Sequence, residues 1–463
     1  MNHPTLFNAL IKADALRPLD LAFAQSLQRL APDTDPQVLA GAALASLAVT
    51  SGHAALDPSR AGMLLDAREG PAPALPDPGD WQRTLAASRW VDQPNPQDPA
   101  AADCPLVLEH GLLYLRRYRE YERRLALGLQ RIAAQSPPPF DAATLAPLFA
   151  QLFPQASPLP PGEAGEGTGL PEPSVDQEGA APPAPSHHPD RQAQAAALAL
   201  RRTLLLVTGG PGTGKTTTIA RLLLLRIAQA HASNTPAPRI ALAAPTGRAA
   251  ERMAESLRLA VTRAIAGGID PALADALPSG ASTLHRLLGV IPDSPHFRHN
   301  ADNPLPLDLI VVDEASMVDL PLMCKLVEAV ADGTQLILLG DADQLPSVEA
   351  GDVLAAILQA AGAGDALQPQ DAQALQALLG NAPSATPAAS HGGGLAGHRV
   401  HLLRGYRQAD DFALAPLADA VRAGDADTAL ALLRSGELAG VHFHEDGEDP
   451  LTLGRDALLA HWP

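Results

Sequence analysis

The chain has 463 residues, enough for about three domains, and its 46% hydrophobic content is enough to fill cores of that size. A net charge of −18 excludes a surface coated in positive charge for indiscriminate nucleic-acid binding, though not a local basic groove. Cys104 and Cys324 are too few and too far apart for a disulfide framework or a zinc site. The start lacks the pattern of a secretory leader and no apolar run reaches membrane-spanning length, so a soluble, cytoplasmic protein is expected.

Residues 1–134 read as a first, mostly helical unit. Leu6, Leu10, Leu19, Phe23 and Leu27 recur at helical spacing, and residues 38–47 suit a buried helix. The proline-rich stretch 71–99 is expected to be irregular. Segments 106–108 and 112–115 flank a turn at Gly111 and predict a hairpin, followed by a charged helix over 116–134. Tyr114, Tyr118 and Tyr121 stand there beside arginines, which fits either a packed helix face or a surface that stacks on bases or meets a partner. Residues 135–189 shift to Pro, Gly and Ala and read as a linker, with a short helix over 145–153 and disorder expected over 157–185. Helix and strand patterns alternate over 190–359, as in a parallel α/β sheet. A low-complexity insertion over 360–397 precedes a last patterned stretch, 398–463.

The run GGPGTGKTTT at 209–218 carries the most chemistry. It follows an apolar strand pattern at 204–207 and opens a helix pattern through 219–225. Gly209, Gly210, Pro211, Gly212, Thr213 and Gly214 would wrap backbone N–H groups around phosphate oxygens, with Thr216 and Thr217 at the positive end of the helix dipole. Lysine otherwise occurs only at 12 and 325, so its retention at Lys215 points to a compact ammonium reaching β- and γ-phosphates. A second strand pattern, LDLIVVDEAS at 307–316, ends in two acids. Asp313 is placed to hold Mg²⁺ with the Thr216 hydroxyl, and Glu314 to polarise an attacking water. A third, QLILLGDADQLPS at 335–347, brings Gln344 to a strand end, where its amide can bond both the γ-phosphate and the water. Pro245, Thr246, Gly247 and Arg248 form another strand-to-helix turn, with Thr283 and His285 similar; small residues and hydroxyls at a helix start suit nucleic-acid phosphates.

Together these motifs resemble the RecD family, a branch of the superfamily 1 DNA helicases. The segments that carry the resemblance are GGPGTGKTTT at 209–218, APTGRAAERMAESL at 244–257, STLHRLLG at 282–289, VVDEASMVD at 311–319 and LLGDADQLPSVEAGDVL at 338–354. The resemblance implies a RecA-like parallel-sheet motor over 190–359 that uses ATP and Mg²⁺, moving 5′ to 3′ on single-stranded DNA within an exodeoxyribonuclease V heterotrimer. It also implies that Gln192 reads adenine, that Arg407 in the Arg404-Gly-Tyr-Arg407 run reaches the γ-phosphate, and that residues 1–134 dock on a RecC-like subunit beside a RecB-like one. Gly405 and Gln408 depart from the family's pattern around that arginine. The family's later threonine-histidine-lysine and Thr-Arg runs do not occur, and the stretch 398–463 falls short of the roughly 100 residues of a compact domain. An incomplete second RecA-like domain is therefore expected, with ATP binding but at most weak, poorly DNA-stimulated hydrolysis and no translocation by this chain alone. Leu10, Thr213 and Met323 stand two residues before the three lysines, so the acid-x-lysine nuclease motif is absent from the sequence. A stand-alone RecD-like helicase and a nucleotide-binding assembly subunit that moves no DNA remain as alternatives.

Overall fold

The computed structural model describes residues 5–65, 73–154, 190–380 (apart from positions 211, 342, 345, 346, 348 and 349), 394–402, 414–438, and positions 441, 443, 455 and 459. Helix starts follow local signals. Thr5 caps α1 (Leu6–Lys12), Pro18 opens α2 (Pro18–Leu30), and Asp35 caps α3 (Pro36–Thr50). Asp20 is wholly buried, yet it accepts from Arg17 and from the Ser46 hydroxyl at 2.7 Å, so α2 is tied to α3 by a satisfied polar contact. The stretch expected to be irregular holds a helix, α4 (Pro78–Ala86). Asp77 accepts from the Gly79 and Asp80 amides, and Pro78 occupies the first helical position, where its missing N–H costs nothing. Trp81 on α4 is fully buried and donates to the Gln37 carbonyl at 3.0 Å. Strands β1 (Val91–Asp92), β2 (Leu106–Glu109) and β3 (Leu112–Leu115) form a small sheet, with β2 and β3 in the expected hairpin.

The charged helix follows as α5 (Arg116–Ala133), and it corrects the expected domain boundary at 134. Its buried side, Tyr121, Leu125, Leu129 and Ile132, belongs to the core beneath the large sheet, not to the core of the N-terminal helices. Residues 1–404 make one compact unit and 405–463 a second. A Cβ at Gly128 would collide with Val327 of the helix Leu320–Ala329, so glycine permits the close crossing of these two helices. Arg124 clasps Glu328 through two bonds of 2.5 and 2.6 Å, and Arg131 donates to the Val330 carbonyl at 2.7 Å. The tyrosines are packed: Tyr114 and Tyr121 are buried, and Arg117 and Arg124 lie over the Tyr121 ring.

The chain continues through α6 (Ala142–Leu152), α7 (Arg191–Ala199), β4 (Leu204–Thr208), α8 (Lys215–Ala232), β5 (Ile240–Ala244), α9 (Gly247–Ala266), β6 (Ser282–Thr283), α10 (Leu284–Leu288), β7 (Leu309–Val312), α11 (Leu320–Ala329), β8 (Gln335–Gly340), α12 (Val353–Ala361), α13 (Pro369–Ala374), α14 (Gln376–Leu379) and β9 (Arg399–His401). The six strands β4–β9 form an all-parallel sheet in the order β6-β5-β7-β8-β4-β9. Alternate residues feed opposite faces. Leu205, Val207, Leu309, Val311, Ile337 and Leu339 pack beneath α6–α9, whereas Leu204, Leu206, Ile310, Val312, Leu336 and Leu338 pack beneath α5, α11 and α12. Each such side chain stabilises the fold by roughly 1.5–3 kcal/mol through lost apolar exposure.

Three more boundaries shift. The segment read as a linker begins with α6, whose Leu145, Phe149 and Leu152 are buried in the core with α8. Within the expected insertion, Leu367, Leu375 and Leu378 join that same core; residues 381–393 lie outside the described residues. The strand expected to open a second domain is β9, which pairs with β4 at the edge of the first sheet. Past residue 404, α15 (Ala415–Ala423) and α16 (Ala426–Ser435) are joined by Gly424 in a left-handed conformation, with Asp425 capping α16.

Candidate active site

A parallel sheet sends the C-terminal ends of all its strands to one edge, which is where loops can build a site. Register places β4 beside β8, with Thr208 opposite Gly340, and β7 beside β5, with Val312 opposite Ala243. Three loops therefore meet there. The first runs from β4 into α8. Gly214 caps α8 at φ 86°, a left-handed conformation that favours glycine, and a side chain there would strike the Gln192 amide. At Gly209 an added Cβ would lie 2.8 Å from the Thr213 hydroxyl and 2.9 Å from the Leu402 carbonyl. Thr213 Oγ1 donates to the Gly210 carbonyl at 2.9 Å, and Thr218 Oγ1 to that of Gly214 at 3.0 Å, which fixes the loop on the helix start. Lys215 Nζ donates to the carbonyls of Gly209 and, at 3.2 Å, Gly210, so the ammonium lies within the loop's own ring. Gln192 stands beside it, its amide donating to the Thr213 carbonyl at 2.9 Å. Thr216 and Thr217 are half-buried at the helix start. Pro211 and Arg407 lie outside the described residues.

The second loop leaves β7. Asp313 accepts from the Glu314 amide at 2.9 Å. Burial above all, and then the Glu314 charge, push its carboxyl above the usual aspartate range, against the Glu314 amide hydrogen bond and the weaker pull of Lys215 and Arg252. A half-buried carboxylate whose ionised form is disfavoured suits a divalent cation, which would restore that form; magnesium binds in this manner through one or two carboxylates and phosphate oxygens. Glu314 is left-handed at φ 54°, unusual for a residue with a Cβ, and Arg252 of α9 lies 3.5 Å from its carboxylate. The third loop follows β8. Gln344 Nε2 donates to buried Asp341 at 3.3 Å, so the glutamine is tethered near the strand end.

Next to these, β5 and β6 pair with Ala244 opposite Thr283, which sets the two remaining turns side by side. Thr246 caps α9 by accepting from the Ala249 amide at 3.2 Å, and Thr283 caps α10 by accepting from that of Arg286 at 3.2 Å. Pro245 is half-buried; Thr246, Gly247, Arg248 and His285 are exposed, with His285 edge-on to Phe297. The structure thus brings the described residues among those predicted from Gln192 to Gln344 to one edge of the sheet. Sequence reasoning missed Arg252, whose signal was its place four residues after Arg248 on one helix face, and His401, which shares a 3.0 Å hydrogen bond with Thr208 and had no local signal.

A strand, a glycine-rich loop and a helix, with an acid pair ending a neighbouring parallel strand, define a P-loop nucleotide-binding motor domain of the RecA-like class. The chain matches the family profile described as "RecBCD enzyme subunit RecD, N-terminal domain" over residues 12–114 and an AAA domain over residues 192–350. It is 37% identical to the RecBCD enzyme subunit RecD of Mycobacterium tuberculosis over 460 residues, covering 98% of this chain and 64% of that protein. The Haemophilus influenzae RecBCD enzyme subunit RecD is 39% identical over 52% of this chain and 37% of its own length. The "ATP-dependent RecD2 DNA helicase" of Deinococcus radiodurans is 42% identical over 34% of this chain and 18% of its own length. The chain thus matches the RecD N-terminal profile over residues 12–114 and is similar to RecD proteins over almost its whole length. It spans just under two thirds of the length of the mycobacterial relatives. No helix among the described residues is long and apolar enough to cross a membrane.

Proposed function

We propose that this chain is the ATP-hydrolysing motor subunit of an exodeoxyribonuclease V-type complex in the cytoplasm, moving 5′ to 3′ on single-stranded DNA beside RecB-like and RecC-like subunits in the repair of double-strand breaks. The observation that carries the reading is the meeting of Lys215, Asp313 and Gln344 at one sheet edge, with the exposed Thr246 turn and the half-buried Thr283 turn alongside. The loop amides from Gly209 to Gly214 orient the β- and γ-phosphates of ATP, and the Lys215 ammonium offsets charge that develops on the transferring group. Asp313 and the Thr216 hydroxyl hold Mg²⁺, which supplies further charge neutralisation at the phosphates. Glu314 takes a proton from the attacking water. Gln344 bonds that water and the γ-phosphate, Gln192 reads the adenine edge, and Arg407 is the arginine that the family resemblance assigns to the γ-phosphate. The Thr246 and Thr283 turns, with Arg248 and His285, hold the phosphates of the strand.

The test is ATP turnover by the full-length protein with and without single-stranded oligonucleotide. A small but measurable stimulation by the strand is expected in the wild type. Glu314→Gln should retain nucleotide and Mg²⁺ binding while turnover falls by about 10²-fold or more, because the amide cannot accept the proton. Turnover indifferent to the strand would favour a nucleotide-binding assembly role instead.

A further inference from the structure

Among the described residues, the cationic side chain that approaches Glu314 is Arg252, from the helix that starts with the exposed Thr246 turn. Arg252 approaches the Glu314 carboxylate at 3.5 Å; its own side chain is 69% exposed while that of Glu314 is 22% exposed. Arg248 and Arg252 are four residues apart in α9, so they share one face of the helix, one turn from each other. The separation exceeds the 2.7–2.9 Å of a strong charge-assisted bond, and the guanidinium is largely in water, so the pair is one that a better anion can displace. Glu314 is also held in a left-handed backbone conformation, which fixes where its carboxylate emerges.

We propose that Arg252 is a positioning residue that latches Glu314 away from the attacking water until a nucleic-acid phosphate draws the guanidinium along α9 toward Arg248. The inference rests on the motor reading above and deepens it by naming the contact through which strand binding reaches hydrolysis. A carboxylate oxygen engaged with this guanidinium is turned toward α9. Phosphate competes well for arginine because it matches the planar donor fork. Once the guanidinium leaves, Glu314 is free to take the proton. No bond forms or breaks at Arg252 itself.

The experiment measures ATP hydrolysis by the full-length protein without polynucleotide and with saturating oligodeoxythymidylate. Arg252→Ala should raise the strand-free rate about fivefold and leave the saturated rate within about twofold, so the stimulation ratio falls. Arg252→Lys retains a charge and should restore part of the low strand-free rate. A residue needed only for packing would lower both rates. An unchanged or lowered strand-free rate in Arg252→Ala overturns the latch, and a raised rate with an intact stimulation ratio overturns its release by the strand. If wild type shows no stimulation, the motor reading fails on its own; the strand-free rates of wild type and Arg252→Ala still judge the latch.

Discussion

The strands in the middle of the large sheet and those at its β5–β6 edge end in the same local device, a strand handing over to a helix start. They differ in how much water reaches them. At β4, β7 and β8, Gly209, Thr213 and Asp341 are buried and Asp313 is half-buried, with the loop's hydroxyls already bonded to its own carbonyls. At β5 and β6, Thr246, Gly247, Arg248 and His285 are exposed, and the threonines do no more than cap their helices. A fixed dipole or charge is worth far more where solvent is excluded. The buried turns are therefore suited to stabilising a developing charge, and the exposed ones to holding and releasing a charged polymer in salt-dependent fashion.

The largest test of that contrast is Lys215→Ala. The ammonium sits within the loop, bonded to the Gly209 and Gly210 carbonyls, and no other lysine is near it in sequence. Single-turnover ATP hydrolysis is expected to fall by about 10³-fold with the melting temperature little changed. Retention of the rate within about tenfold would show that the buried loop does not concentrate electrostatic stabilisation in this residue.

A second test uses the Asp313 charge itself. Burial raises its native pKa above the ordinary 3.8. Between 3.8 and the native value, the unfolded chain is ionised at this position while the folded chain stays protonated, so stability declines as pH rises through that window. Above it the cost is constant; below 3.8 it vanishes. Asp313→Asn removes the cost. Without Mg²⁺ and nucleotide, the variant should melt higher than wild type at neutral pH, with the gain shrinking as pH is lowered toward 3.8, and Mg²⁺-dependent hydrolysis should be lost. A variant that melts lower at every pH would mean that the carboxylate is well solvated and the contrast with the outer turns is overdrawn.

The inner site was far more legible in the sequence than the lobe boundaries around it. Lys215, Asp313 and Gln344 each lie in a short contiguous run, because one strand and one turn suffice to present them. The acid pair gains its meaning from the loop, and the parallel sheet joins them. The membership of α5 in the motor could not be read this way. Its tyrosines and arginines fitted either a packed face or a surface for bases or a partner, but Arg124 and Arg131 reach Glu328 and Val330 some two hundred residues on, and only the close approach at Gly128 reveals why the helix fits. The same holds for β9. Three residues after a glycine-rich stretch carry too little periodicity to choose between opening a new sheet and completing an old one. Prolines misled in the opposite direction, since Pro78 starts α4 where a simple count predicted irregular chain.

The smallest expected effect belongs to the outer turn, and its smallness is what the comparison requires. Arg248 is exposed at the start of α9, directly after the Thr246 cap, so Arg248→Ala leaves the buried site intact and removes one cation from the surface that would follow a strand. A solvated arginine–phosphate contact is worth little compared with a desolvated one. Oligodeoxythymidylate affinity should weaken by only about three- to tenfold at moderate salt. Hydrolysis at saturating strand should stay within about twofold of wild type. The diagnostic quantity is the slope of log affinity against log salt, which should become shallower by about 0.7, the loss of one released counterion on a single strand. An unchanged slope would place Arg248 off the strand's path. A loss of hydrolysis even at saturating strand would show that the outer turn takes part in the chemistry, and that the sheet edge does not divide as its burial implies.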